Sequence, residues 1–178
     1  MHILYLNAQE VSVSTVAVSC NGQNDGEITV NIGINQAIET IRLMEAMNNR
    51  LLKTIKNPED SIINLTKLSS GQYIVQLVSK GEVTNLEVMI DEPEKLKANV
   101  IVVEKYPDEG ECNGIVEVKP SGGNQPYSFV WSKNANESKE DKLKNLCEGT
   151  YRCEITDVKN CDTVSATVFL YNEREKND

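Results

Sequence analysis

The feature that most constrains the fold of this 178-residue chain is a nine-residue pattern that occurs twice, 78 residues apart. Leu65 to Tyr73 (LTKLSSGQY) recurs as Leu143 to Tyr151 (LKNLCEGTY), with two Leu, one Gly and one Tyr at matching positions. The charged, proline-containing stretch Asp91 to Lys95 between the copies is typical of a linker. Self-similarity of this kind predicts two diverged copies of one structural unit.

Both copies have the pattern of β-strands. Apolar residues alternate with polar ones, Val and Ile are frequent, and turn residues follow at short spacing. The clearest strand-like runs are 11–14, 73–78, 86–90, 100–103, 127–131 and 163–170. Several short strands in each copy favour an immunoglobulin-like β-sandwich. We therefore predict an all-β chain of two tandem immunoglobulin-like domains.

The predicted boundaries follow from the repeat and the linker. Residues 1–10 are an N-terminal arm or extra strand, residues 11–92 are the first, diverged domain, residues 93–98 are the linker, and residues 99–178 are the second domain. In each domain the Gly-x-Tyr element, with Tyr73 or Tyr151, is similar to the tyrosine corner of the immunoglobulin fold. The single Trp, Trp131, falls where that fold packs a large aromatic residue between its sheets.

One segment of the first domain, residues 37–57, fits two structures. It is rich in helix-forming residues, and Ile38, Ile41 and Met44 have loosely helical spacing. However, the residues from Ile41 to Met47 also alternate, and Asn48-Asn49 is suited to a turn. We expect a β-hairpin here, with a helix as the alternative.

Composition excludes several functions. Lys and Arg total 18 against 27 Asp and Glu, so the net charge is −9, which argues against nucleic-acid binding. The single His is His2, so a His-assisted nucleophile or a His-ligated zinc site within a domain is not expected. No apolar run is long enough for membrane insertion. We predict no catalytic residue, no cofactor and no metal.

Two groups of carboxylates are candidate calcium ligands, because calcium prefers carboxylate oxygens. The candidates are Asp25 and Glu27, and the cluster Asp108, Glu109 and Glu111. Their spacing matches no EF-hand loop, so solvated turns are the favoured interpretation.

Beyond these patterns, the second domain resembles the SprB-type repeat, an immunoglobulin-like module of gliding adhesins and other surface proteins of Bacteroidota. It contains Gly122-Gly123-x-x-Pro126-Tyr127-x-x-x-Trp131, then the Leu146 to Tyr151 segment, then Thr156-Asp157-x-x-x-Cys161. Cys112-Asn113-Gly114 matches the family's C-N-G turn, and the first domain keeps a fuller version from Cys20 to Gly26. The first domain lacks the Gly-Gly, Pro-Tyr and Trp elements and is a degenerate copy.

The resemblance implies a non-enzymatic display or adhesion module. It also implies a disulfide between Cys112 and Cys161, worth roughly 4 kcal/mol by loop-closure entropy. Cys147 and Cys153 would then be buried thiols, and Cys20 would have no partner in its own domain. The sequence itself leaves open whether the cysteines are oxidised.

The apolar N-terminal residues Ile3, Leu4, Tyr5 and Leu6 have two interpretations. They are an extra strand of the first domain's own sheet, or an arm that adds a strand to a partner.

Two classes of function compete. The preferred one is a virion decoration or head-fibre protein of a phage that infects Bacteroidota, since the chain starts at Met without a signal peptide. It would dock through the first domain and project the second, with capsid or fibre proteins, a host surface or a second copy in a dimer as partners. The alternative is a fragment of a bacterial cell-surface adhesin.

Overall fold

The computed structural model describes residues 4–5, 11–33 and 37–172. These residues form strands, turns and loops, with one short 3₁₀ helix at Lys133–Ala135, which confirms the all-β prediction. The chain divides into two compact units, Met1–Glu92 and Pro93–Asp178.

The described residues of the first unit form eight strands in two antiparallel sheets. One sheet has the order β1-β2-β3-β6 and the other has the order β5-β4-β7-β8. The strands are β1 (Leu4–Tyr5), β2 (Ser12–Val16), β3 (Gly26–Asn31), β4 (Thr40–Glu45), β5 (Leu51–Lys56), β6 (Ile62–Leu68), β7 (Gly71–Ser79) and β8 (Glu82–Ile90).

In the second unit, residues 93–172 form six strands in two three-stranded sheets. Their orders are β12-β10-β9 and β11-β13-β14. The strands are β9 (Lys97–Lys105), β10 (Gly114–Ser121), β11 (Tyr127–Trp131), β12 (Lys142–Leu146), β13 (Gly149–Asp157) and β14 (Thr163–Leu170). Where the first unit has strand β5, the second unit has the 3₁₀ turn.

Alternation along the strands creates a separate core in each unit. In β7 the side chains of Tyr73, Val75 and Leu77 are buried, and in β13 the equivalent positions hold Tyr151, Cys153 and Ile155. Because successive strand residues face opposite sides, every second residue points between the sheets. These positions lie 78 residues apart, as the repeat predicts.

Residues 37–57 form the predicted hairpin, with β4 paired to β5. At its tip Asn49 has a φ of 54°, and the Arg50 backbone NH donates to Asn48 Oδ1 at 2.8 Å. Asparagine tolerates this left-handed backbone conformation, so the Asn48-Asn49 pair turns the chain. Arg50 and Glu45 also form an ion pair across the hairpin.

The N-terminal strand lies on the first unit's own sheet. Leu4 pairs with Val13 and Tyr5 pairs with Ser12, antiparallel to β2. This arrangement is the extra strand and differs from the partner-docking arm proposed from the sequence. Ile3 and Leu6 lie outside the described residues.

The predicted linker 93–98 is mostly part of the second unit. The Gly123 backbone NH donates to the Glu94 carbonyl at 2.6 Å, Leu96 is buried, and Lys97 begins β9. On the other side of Pro93, the Asp91 carbonyl accepts a hydrogen bond from the Val18 NH in the first unit. Residues 93–96 precede β9, and Lys97 and Ala98 belong to it.

Candidate functional site

The turn that enters β3 has its structural counterpart at the entry to β10. Gly26 pairs with Leu68, Gly114 pairs with Leu146, and a β-bulge follows each glycine. A Cβ on Gly26 would lie 2.9 Å from the Leu68 carbonyl oxygen, and one on Gly114 would lie 2.9 Å from the Leu146 carbonyl oxygen. Both positions therefore require glycine because the partner strand's backbone is too close for a side chain.

This equivalence corrects the sequence alignment of the two turns. Gly114 corresponds to Gly26 and not to Gly22, although Gly22 and Gly114 each follow a Cys-Asn pair. The residue before each glycine makes the same kind of contact. Asp25 Oδ1 accepts from the Ser19 NH at 2.9 Å, and Asn113 Oδ1 accepts from the Asp108 NH at 3.0 Å.

Cys112 forms a disulfide with Cys147, with the two Cα atoms 3.9 Å apart. The predicted Cys112–Cys161 bridge is therefore wrong. Cys112 lies just before β10 and Cys147 lies just after β12, so the pairing of Gly114 with Leu146 brings the two cysteines together. Cys147 is exposed and oxidised, which also corrects its interpretation as a buried thiol.

In each unit a tyrosine fixes the loop that precedes it in the chain. The Tyr73 hydroxyl donates to the Ser69 carbonyl at 2.9 Å, and the Tyr151 hydroxyl donates to the Cys147 carbonyl at 3.0 Å. Both rings are buried. This is the hydrogen-bond geometry of a tyrosine corner, at the two positions chosen from the sequence.

Trp131 lies in the core of the second unit, with 1% of its surface exposed. Its indole NH donates to the Glu140 carbonyl at 2.8 Å, which satisfies the polar end of the ring. Trp131 is paired with Cys153 on β13, a buried free thiol. Burial raises the pKa of the Cys153 thiol to about 11, so this cysteine is poorly suited to act as a nucleophile.

A shallow depression lies beside Trp131 on the second unit and opens to solvent. It is lined by Val130, Trp131, Ser132, Glu137, Arg152 and Glu154. Arg152 and Glu154 form an ion pair at 3.3 Å, and more than half of each side chain is exposed. Solvated charges of this kind do not provide the desolvated environment that acid–base catalysis needs.

Asp157 organises the turn after β13 and is 1% exposed. Its carboxylate accepts backbone hydrogen bonds from Asn124 at 3.0 Å, Lys159 at 3.0 Å and Cys161 at 3.1 Å. Burial alone would raise the pKa of Asp157, but these hydrogen bonds stabilise the anion and the pKa is lowered overall. Asp157 belongs to the Thr-Asp-x-x-x-Cys pattern of the sequence, which does not by itself indicate that its carboxylate holds two loops together.

The candidate calcium ligands do not converge. Asp25 caps its own turn, and Asp108 forms an ion pair with Lys105 and accepts from the Asn113 amide. Within the described ranges no group of three or more His, Cys, Asp or Glu side chains is placed to hold a metal ion. The same ranges contain no helix long and apolar enough to cross a membrane.

Comparison with known proteins identifies one sequence family and several structural neighbours. Residues 110–136 match the family model for the SprB repeat. The matched segment holds Cys112, Gly114, the turn at Asn124 and Trp131. A search of curated proteins finds no significant match.

The structural neighbours are built from similar β-domains. A C-terminal fragment of intimin, solved with the intimin-binding domain of the translocated intimin receptor, has a TM-score of 0.45 at 18% identity, covering 97% of this chain and 65% of the fragment. An E-to-A mutated variant of titin domains I67–I69 has a TM-score of 0.47 at 16% identity. The match covers 91% of this chain and 64% of the titin fragment. Invasin, a bacterial integrin-binding protein, has a TM-score of 0.33 at 10% identity. The match covers 91% of this chain and 39% of invasin. The chain thus spans just under two thirds of the intimin and titin fragments.

The paired sheets of each unit are an immunoglobulin-like β-sandwich, and residues 110–136 of the second unit match the SprB repeat. No enzyme family is matched. The virion function preferred from the sequence has no support among the matches.

Proposed function

We propose that this chain is a non-enzymatic segment of a bacterial cell-surface adhesin, in which the two units serve as display modules. The observation that carries the proposal is the SprB-repeat match over residues 110–136, because that family's modules belong to gliding adhesins and other surface proteins. This was the alternative to the virion interpretation.

The Cys112–Cys147 disulfide supports a location outside the cytoplasm. Disulfides form and persist in oxidising compartments, and glutathione and thioredoxin keep most cytosolic thiols reduced. The bridge joins Cys112, inside the matched segment, to Cys147, which lies beyond it.

Labelling of intact cells tests the location. A membrane-impermeant amine reagent should modify exposed lysines such as Lys53 and Lys144 before lysis, while a cytosolic control protein stays unlabelled. Rapid alkylation at harvest should show Cys112 and Cys147 joined in one peptide pair. Labelling only after lysis, or co-purification of the chain with virus particles, would overturn the proposal.

Deletion of the matched unit tests the adhesive function. Cells that carry the parent protein without residues 93–178 should attach less well to the surfaces to which the intact strain attaches. Cells that carry Cys153→Ala, which alters one buried thiol, are the matched control and should attach normally. Equal attachment by the deletion strain and the intact strain would contradict an adhesive function for this unit.

A further inference from the structure

Strand β14 differs from the other long edge strands of this protein. Over its eight residues (TVSATVFL) it contains no charged residue, no proline and no glycine. Among the strands that the structure describes, every other edge strand of six or more residues carries at least one Lys or Glu; these strands are β5, β6, β8 and β9. Charged residues on an edge strand normally prevent another strand from pairing with it.

The inward side of β14 is also incompletely covered. Val164, Ala166 and Val168 are only partly buried, whereas at the equivalent edge of the first unit Leu86 and Val88 of β8 are buried. Outward, Phe169 is 57% exposed. Strand β14 pairs along its length with β13, and its other edge pairs with no strand in the described structure. Strand β9 of the facing sheet lies close to β14 without pairing with it, so β14 keeps unpaired backbone groups beside partly exposed apolar side chains.

We propose that β14 is a homodimerisation edge that pairs antiparallel with β14 of a second copy about a two-fold axis at Ala166. In this register Ser165 lies opposite Thr167 of the second copy, and Val164 lies opposite Val168 of the second copy. Outward side chains thus meet outward ones, and inward side chains meet inward ones, as strand pairing requires. A C2 interface of this kind uses the same surface on both copies.

Charges on the neighbouring strand favour a second copy as the occupant. On the outward face, Glu154 of β13 is paired with Ser165 of β14, and Arg152 is paired with Thr167. Within one copy the Glu154 and Arg152 side chains form an ion pair with each other. Across the proposed axis each row runs from Glu154 of one copy, past Ser165 and Thr167, to Arg152 of the other, so no like charges face each other. The two-fold axis makes both rows complementary in charge, although the chain as a whole has a net charge of −9.

The first test is the mass of the full chain in solution. Sedimentation equilibrium from 1 µM to 500 µM should show a concentration-dependent approach to twice the monomer mass of 19.8 kDa. Ser165→Lys/Thr167→Lys places like charges opposite each other twice in the dimer, and it should raise the dissociation constant roughly tenfold or more. A wild-type chain that stays monomeric at 500 µM would overturn the proposal.

Two matched variants separate the proposed pairing from general effects of charge. Ser165→Lys/Thr167→Glu places opposite charges across the axis and should restore dimerisation. Asn85→Lys/Glu87→Lys changes the equivalent positions on β8 and should leave the dimer intact. If the β8 variant dissociates the dimer and the β14 double-lysine variant does not, the interface lies elsewhere and the proposal is wrong.

The register has its own test. A mixture of the single variants Ser165→Cys and Thr167→Cys should form an oxidised cross-link between the two copies, because those positions face each other only in the antiparallel pairing about Ala166. Circular dichroism of each variant should match that of the wild type, which excludes unfolding as the cause. A cross-link in neither the mixture nor the separate variants would contradict this register.

Discussion

The Ser69 hydroxyl donates a 2.8 Å hydrogen bond to Asn24 Oδ1 in the first unit. Asn24 lies two residues before Gly26, and Ser69 follows Leu68, the residue paired with that glycine. At the matching positions of the second unit, Cys112 and Cys147 form the disulfide. The two units thus make the same connection between two loops, with a polar contact in one and a covalent bond in the other.

This equivalence predicts that the first unit's residues can replace the bridge. Cys112→Asn/Cys147→Ser should lower the free energy of unfolding of the second unit by about 3 kcal/mol, because a bridge across 35 residues is worth about 4 kcal/mol and the new hydrogen bond returns about 1 kcal/mol. Cys112→Ala/Cys147→Ala should lower the free energy of unfolding by about 1 kcal/mol more, because it lacks the new hydrogen bond. Trp131 fluorescence in urea measures the second unit alone, since the chain has one Trp. Equal stability of the two variants would refute a shared role for the contact.

Asp157 should make the second unit sensitive to acid. Its pKa is lowered in the folded state, so its stabilising effect is present above about pH 4 and is lost as the pH falls through the folded-state pKa. Asp157→Asn should lower the free energy of unfolding of the second unit by about 2 kcal/mol at pH 7. The difference in this free energy from the wild type should shrink towards pH 2. The exposed Asp162→Asn is the control and should be close to neutral. A pH-independent cost would show that the carboxylate charge is not involved.

The two close-packed glycines should tolerate no side chain. Gly114→Ala places a Cβ 2.9 Å from the Leu146 carbonyl oxygen and 3.1 Å from Leu170 Cδ1, and should destabilise its unit by about 1–3 kcal/mol. Gly26→Ala should do the same in the first unit. At Gly22, whose φ is +76° and whose surroundings are open, asparagine should be accepted with little change. Thermal unfolding of the three variants distinguishes these outcomes.

Cys153 should report the opening of the second unit. The thiol is fully buried and its pKa is raised to about 11, so iodoacetamide at pH 8 should modify it only when the unit unfolds. Mass spectrometry should show no alkylation of the native chain within an hour and complete alkylation at this residue in 8 M urea. Cys153→Ala is the control for the site of modification. Fast alkylation of the folded protein would mean that this part of the core is open.

The sequence predicted most of the fold because its signals were local. The 78-residue repeat located both tyrosine corners, and Asn48-Asn49 located the hairpin turn, since each depends on a few adjacent residues. The disulfide depended on which residues face each other across two strands. Because both turns contain Cys-Asn-Gly, the sequence places Cys112 opposite Cys20. In the structure the turn of the second unit is four residues shorter between its cysteine and the close-packed glycine, so Cys112 corresponds to Asn24. Asp157 was missed for a similar reason, because its hydrogen-bond donors at Asn124 and Cys161 lie on two different loops.

The Cys112–Cys147 bridge also determines how the second unit would extend under mechanical tension. The bond closes a loop that contains β10, β11 and β12, so the ends of this loop stay joined when the rest of the unit is pulled apart. At about 3.5 Å per residue, the 35-residue separation represents about 120 Å of contour that stays unreleased when the unit unfolds. A tether built from such modules would lengthen in shorter steps under oxidising conditions than under reducing ones.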